Sequence, residues 1–154
     1  MQKQLIKWYQ ENKRDFPWRK DQDPYHIWIS EIMLQQTTTE TVIPYYNRFL
    51  KNFPNVEALA SASLEEVYKM WEGLGYYRRA KHIHESAQII LEKYQGVFPY
   101  EYDAILSLKG IGEYTAGAIS SIAYGKQVPA VDGNVLRIIS RYYLIKENIA
   151  ETKV

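Results

Sequence analysis

Two carboxylates carry the chemistry this sequence could perform. Glu31 lies in Trp28-Ile29-Ser30-Glu31-Ile32-Met33-Leu34-Gln35-Gln36-Thr37. At ~100° per residue it falls at the edge of an apolar helical stripe, near Trp28 and Leu34. Apolar surroundings raise a carboxyl's pKa because desolvation penalises the charged form. A group held protonated near neutral pH can act as a general acid. Spacing alone leaves open a plainer reading, a solvated glutamate on the rim of a helix. Asp132 lies in Pro129-Ala130-Val131-Asp132-Gly133-Asn134-Val135, at a helix N-cap after a short apolar stretch. The cap is a sufficient reason for an aspartate there. Bonds from helix N–H groups also favour the ionised form, which suits a carboxylate that faces positive charge. An acid to protonate a leaving group and a carboxylate opposite an oxocarbenium-like centre are the pair that glycosidic chemistry uses.

Leu108-Lys109-Gly110-Ile111-Gly112-Glu113-Tyr114 reads as helix end, glycine hairpin and helix start. Gly110 and Gly112 permit a positive φ or a close backbone approach. The free N–H groups of the following helix suit an anion such as a DNA phosphate. An ordinary helix-loop-helix turn with a glycine cap has the same pattern. Tyr76-Tyr77-Arg78-Arg79-Ala80-Lys81-His82-Ile83-His84 is the densest basic run, with an aromatic on a loop beside cations. It fits phosphate contact with a wedge that unstacks bases, and equally a solvated helix start with tyrosine in the core. The histidines have no metal-ligand partners at sensible spacing and read as surface residues.

These residues must be positioned by helices. Periodicity and cap signals predict helices over 3–13, 24–37, 41–52, 58–62, 63–71, 77–94, 101–106 and 113–124, and from 132 to about 143. Asp23-Pro24 opens the second, with Tyr25, Trp28, Ile29, Ile32 and Gln36 on one side. Pro44 marks a break or a start in the third. Ser63 and Glu66 form a capping box. Helix 113–124 is rich in small residues, which lets a neighbouring backbone pack closely. Residues 127–130 are extended. No run of alternating strands, internal repeat or low-complexity segment is present, so the expected class is all-α.

Length and composition narrow the function further. The chain has 154 residues, 46% apolar and 24% charged, with 14 tyrosines and 4 tryptophans, one domain's worth of chain with a real core. A net charge of +1 makes no global case for nucleic acid, so any basic footprint is local. There is no cysteine, which removes disulfides and thiolate-held metals from these residues. No apolar run approaches the ~20 residues of a membrane span, and the N-terminus lacks the pattern of a signal peptide. A cytoplasmic protein is expected.

Phe16-Pro17-Trp18-Arg19, Ser30 to Thr37, Trp71-Glu72-Gly73-Leu74-Gly75-Tyr76-Tyr77, the Gly110 hairpin and Val131 to Val135 occur in this order over nearly the whole chain. Together they resemble the helix-hairpin-helix DNA glycosylases, and within them the MutY-type adenine DNA glycosylases. The resemblance implies a six-helix barrel over 23–137 with its hairpin at 108–113. Residues 1–22 would belong with an incomplete second helical domain, and 138–154 would begin a truncated C-terminal segment. It implies excision of adenine mispaired with 8-oxoguanine or guanine, flipped out of double-stranded DNA. Glu31 takes the place of the acid that protonates adenine and then activates water, and Asp132 that of the carboxylate that stabilises the sugar cation or bonds to it transiently. Asn134 and Tyr114 match positions that support the reacting centre. Gln36 and Tyr76, with Leu34 beside them, match residues pushed into the base stack. Trp18, Arg19 and Arg78 are further DNA-contacting candidates. Gly110 and Gly112 would hold backbone phosphate, with a monovalent cation on the hairpin carbonyls.

Bifunctional relatives such as endonuclease III carry a lysine where this chain has Tyr114. A phenol forms no Schiff base, so a monofunctional glycosylase is expected. No cofactor is expected within this chain, and the family's 4Fe–4S cluster only with a further C-terminal segment. The first and last helices would expose apolar surface, so marginal stability or self-association is expected of the fragment where the complete protein is a monomer. A bacterial-type, nucleoid-associated enzyme is implied. The alternatives are a weak or inactive DNA-binding fragment, an endonuclease III-like glycosylase of other base specificity, and a helical interaction module.

Overall fold

In the computed structural model, which describes residues 2–146, all regular structure is helical. The helices are α1 (Gln2–Asn12), α2 (Pro24–Leu34), α3 (Thr39–Asn52), α4 (Val56–Ser61), α5 (Leu64–Trp71), α6 (Arg78–Tyr94), α7 (Tyr102–Leu106), α8 (Glu113–Tyr124) and α9 (Gly133–Tyr142). A single 3₁₀ turn, Pro17–Arg19, precedes α2. The all-α expectation holds.

Local signals start most of these helices. The Asp23 carboxylate accepts the Tyr25 N–H at 2.8 Å, and Pro24 follows at the first helical position. Ser63 and Glu66 close the capping box, with the Ser63 N–H donating to Glu66 at 2.7 Å. Asn55 caps α4 from within the expected turn, so that helix starts two residues early. Pro44 stands inside α3 rather than at its start, because Thr38 opens the helix earlier. The missing N–H at Pro44 removes one ladder bond without ending the helix.

Two differences bear on function. Helix α2 is not one-sided: Tyr25, Ile27, Trp28, Ile29, Ser30, Ile32 and Met33 are all buried, as befits a central helix. It also ends at Leu34, so Gln36 lies beyond it in a left-handed turn with φ 58°. The histidines correct a further expectation. His84 is buried in α6, with Nε2 2.8 Å from the Ala62 carbonyl oxygen.

The core runs through α2, α3, α5, α6 and α8, with Trp28, Phe49, Trp71, Ile83 and Ile119 fully buried. The loop before α2 joins it through Phe16 and Trp18. Neither α1 nor α9 has a buried residue. They expose Leu5, Ile6 and Trp8, and Ile138 and Tyr142.

Helix α8 uses its small residues as expected. Thr115 to Ser120 are buried along it, and the backbone of Pro129 and Ala130 lies against Gly117. A Cβ at Gly117 would run into the Pro129 carbonyl oxygen. Gly117→Ala is therefore expected to destabilise the fold by about 1–3 kcal/mol in chemical denaturation. The roughly 1 kcal/mol that alanine gains in helix propensity does not offset this. Gly117→Val should cost more, and an unchanged midpoint in either variant would refute the close contact.

Candidate active site

Glu31, on the last turn of α2, opens into a cleft of about 760 Å³. Tyr114 from the first turn of α8 and Asp132 from the cap of α9 reach the same cleft. Burial pushes the Glu31 carboxyl above the usual carboxylate range, and the ionised Asp132 adds to the shift. The neighbouring Tyr114 phenol and the Arg19 guanidinium pull the other way without cancelling it. The Tyr114 phenol is itself pushed up to about 12, first by burial and then by the Glu31 charge. It therefore stays a donor at neutral pH.

Asp132 sits in the opposite environment. One carboxylate oxygen accepts the Val135 N–H at 2.8 Å and the other accepts the Asn134 side-chain amide at 2.9 Å. The Val135 N–H above all holds its pKa below the usual range. One cleft thus contains a carboxyl biased toward its protonated form and a carboxylate biased toward its charged form.

The remaining candidates fall into three groups. Leu34, Trp18 and Arg19 line the same cleft. Trp18 is a buried wall of it, stacked on Phe16 at 4.9 Å and edge-on to Tyr46 at 5.5 Å. Arg19 is exposed and lies over the Phe16 ring at 5.1 Å. Gln36, Tyr76 and Arg78 line a second groove of about 800 Å³, which shares Asp132 with the first. Tyr76 is 61% exposed, and its backbone, like that of Gln36, is left-handed, with φ 50°. Bulky residues hold that conformation only when their surroundings impose it.

Gly110 and Gly112 lie outside both cavities, on the flank of α6. Gly110 has φ +77°, and a Cβ there would stand 2.9 Å from the His82 Nδ1. The Ser86 hydroxyl donates to the Lys109 carbonyl at 3.2 Å, and the Lys109 ammonium lies 3.0 Å from Glu85. Gly112 caps α8 with extended backbone and no side-chain bond, which leaves first-turn N–H groups free for an anion.

Sequence reasoning missed Arg79. Its guanidinium donates to the carbonyls of Ile32, Met33 and Gln35 at 2.8, 3.0 and 2.6 Å, and to that of Gly75 at 3.3 Å. Three of these partners lie more than forty residues away in the chain, so no local pattern marks the residue.

Among the described residues no group of three or more His, Cys, Asp or Glu is placed to hold a metal. A 4Fe–4S cluster needs thiolate ligands. The residues present do not fit one, because the sequence has no cysteine. No described helix is long and apolar enough to cross a membrane.

Residues 29–154 match the model of the HhH-GPD superfamily base excision DNA repair proteins. The chain is 48% identical to an adenine DNA glycosylase of Buchnera aphidicola subsp. Acyrthosiphon pisum over 151 residues, which cover 97% of this chain and 43% of the relative. It is 43% identical to the human adenine DNA glycosylase, over 97% of this chain and 29% of that protein. Among solved structures, a thermostable thymine-DNA glycosylase superposes with a TM-score of 0.85 at 35% identity, covering 90% of this chain and 64% of that one. The chain thus spans less than half the length of these curated relatives.

The raised pKa of Glu31 has a consequence for stability. In acid, below the usual carboxylate range, both folded and unfolded states are protonated and burial of the charge costs nothing. As pH rises the unfolded state ionises first, so stability falls until the folded-state value is passed. Glu31→Gln removes that penalty. Calorimetry should show its Tm above that of the parent by a few degrees at pH 7 and unchanged below about pH 4. An equal gain at both pH values would contradict the burial.

Proposed function

The chain belongs to the HhH-GPD superfamily of base excision DNA repair proteins, and on that premise we propose that it is the catalytic part of an adenine DNA glycosylase. Its substrate is double-stranded DNA carrying adenine opposite 8-oxoguanine or guanine, and it hydrolyses the N-glycosidic bond. The observation that carries this reading is the pair Glu31 and Asp132, biased in opposite directions and facing one cleft.

Glu31 donates its proton to a ring nitrogen of the flipped adenine, and the base leaves with the electron pair of the C1′–N9 bond. Asp132, held by Val135 and Asn134, faces the positive charge that develops on the sugar. The Glu31 carboxylate then takes a proton from water as its oxygen bonds to C1′. The products are adenine and an abasic site, and Glu31 ends reprotonated. Tyr114 keeps Glu31 oriented. Gln36 and Tyr76, with Leu34 behind them, enter the base stack. Arg78, Arg19 and the Trp18 wall bound the strand, and the Gly110–Gly112 hairpin anchors phosphate, with a monovalent cation on its carbonyls.

The same reading assigns 23–137 to a helical barrel. It places 1–22 and 138–154 with a second domain, which fits the lack of buried residues in α1 and α9. As an isolated piece the chain self-associates through those faces, and the complete enzyme is a monomer in the bacterial cytoplasm, at the nucleoid. Any iron–sulfur cluster would be held by residues other than these.

Single-turnover assays on duplexes with adenine opposite 8-oxoguanine test the proposal. Adenine release is expected, and Glu31→Gln should slow it by roughly 10²–10⁴-fold while duplex binding persists. The rate should rise as pH falls from neutral toward the raised Glu31 value, then fall in stronger acid as Asp132 protonates. Equal loss of binding and excision in Glu31→Gln would sink the acid assignment. The similarity to a thymine-DNA glycosylase favours a second reading, another base specificity, and release of thymine but not adenine would establish it. Binding without release of either base would mark an inactive fragment.

Tyr114 makes a separate prediction. The abasic product should remain unnicked until base is added, and borohydride should trap no protein–DNA adduct, because a phenol forms no Schiff base. Nicking at neutral pH without added base would overturn the monofunctional assignment.

A further inference from the structure

The two turns that bear Gln36 and Tyr76 are gripped by a single side chain. One terminal nitrogen of Arg79 donates to the carbonyls of Ile32, Met33 and Gln35, at the end of α2. The other reaches the Gly75 carbonyl, which also accepts the Trp71 indole N–H at 3.0 Å. The guanidinium lies 5.5 Å from the Trp71 ring and 5.3 Å from that of Tyr76. No carboxylate among the described residues pairs with it. Its charge is set instead against the carbonyls of a helix C-terminus, where a cation is favoured. The Nε–H is buried without an acceptor, so the group is placed for the carbonyls rather than for its own full satisfaction.

A planar fork can do this and a point charge cannot. An ammonium has three donors at one centre, so it can cap α2 or hold Gly75 but cannot span both. The two turns also share an unusual need. Gln36 and Tyr76 are both left-handed non-glycine residues, and both line the groove that contains Asp132. Each conformation must be imposed by the surroundings, and Arg79 is bonded to the residue just before each of them.

We propose that Arg79 is a positioning residue that locks the Gln35–Gln36 turn and the Gly75–Tyr76 loop at one separation, so that Gln36 and Tyr76 enter the duplex together as a single rigid wedge. The wedge rests on the glycosylase reading, whereas the lock is a property of the free protein. Arg79 thereby acts on the opening of the base pair and not on the chemistry at Glu31.

Hydrogen exchange in the free protein tests the lock. The amides of Gln35, Thr37 and Leu74 bond within these turns. Arg79→Gln should accelerate their exchange by roughly tenfold in both turns together, while amides within α6 beyond Ile83 keep their protection. Acceleration in one turn only, or in neither, overturns the coupling. Single-turnover excision tests the wedge. With Arg79→Lys, which keeps the charge, adenine in a fully paired duplex should be released about ten to a hundredfold more slowly. Adenine opposite an abasic-site analogue, which is already unpaired, should be released at close to the parent rate. Equal loss on both substrates overturns the wedge. Failure of the parent protein to excise from either substrate refutes the glycosylase reading and the wedge with it, and the exchange data then still decide the lock.

Discussion

Helix α2 has scarcely any solvent face, and the site depends on that constraint. Apolar side chains cover it nearly all round, so it must be enclosed by α3, α6 and α8 to remove that surface from water. Its position is therefore fixed by packing, and Glu31 is fixed with it. The helix cannot rotate to expose the carboxyl without withdrawing Trp28 or Ile32 from the core. Burial of a carboxyl is costly unless it is neutral or well partnered. Tyr114 and Arg19 reduce that cost without abolishing it, and the remainder persists as a raised pKa. The group's bias toward its protonated form is thus a by-product of the fold's central packing decision. Helix α8 follows from the same constraint. Its small residues let it approach α2 closely, and that approach carries Tyr114 to the carboxyl.

Asp132 reaches the same cleft by the opposite route. Its partners are local, the N–H of Val135 and the amide of Asn134, and solvent stays near. Two chemically similar groups are shifted in opposite directions because one is held by tertiary packing and the other by the first turn of a helix. Substitutions deep in the core would be felt chiefly by Glu31. Substitutions within Asp132-Gly133-Asn134 would be felt chiefly by Asp132.

What the sequence revealed divides along the same line. The Asp23 cap, the Ser63–Glu66 box and the Asp132 cap depend on residues within three positions of one another, and a linear reading finds them. The end of α2 was not legible. No glycine or proline stands between Leu34 and Pro44, so periodicity carries the helix on through Gln36. The signal that stops it is Arg79, more than forty residues away, which satisfies the carbonyls that a further helical turn would have used. His84 was misread for a similar reason. Its acceptor is the Ala62 carbonyl, twenty-two residues back. The one-sided stripe assigned to α2 failed because a central helix is buried on all sides, and periodicity describes only helices that keep a wet face. Glu31 could be placed near apolar residues from spacing, but whether it was rim or cleft was decided by α8, which spacing cannot see.

The Gly110 hairpin and the turns that bear Gln36 and Tyr76 are separate in sequence, yet both are fastened to the first turns of α6. Arg79 holds the end of α2 and the Gly75 loop. One turn on, His82 lines the groove beside Gln36 and Tyr76 while its ring packs against Gly110. Ser86 and Glu85, a turn further, bond the Lys109 carbonyl and ammonium. A duplex anchored by phosphate at the hairpin and opened at the groove would therefore meet two surfaces on one rigid rod. At 1.5 Å of rise per residue, the seven positions from Arg79 to Ser86 set roughly 10 Å between the two grips. A change in either loop could not alter that spacing, but an insertion in α6 would.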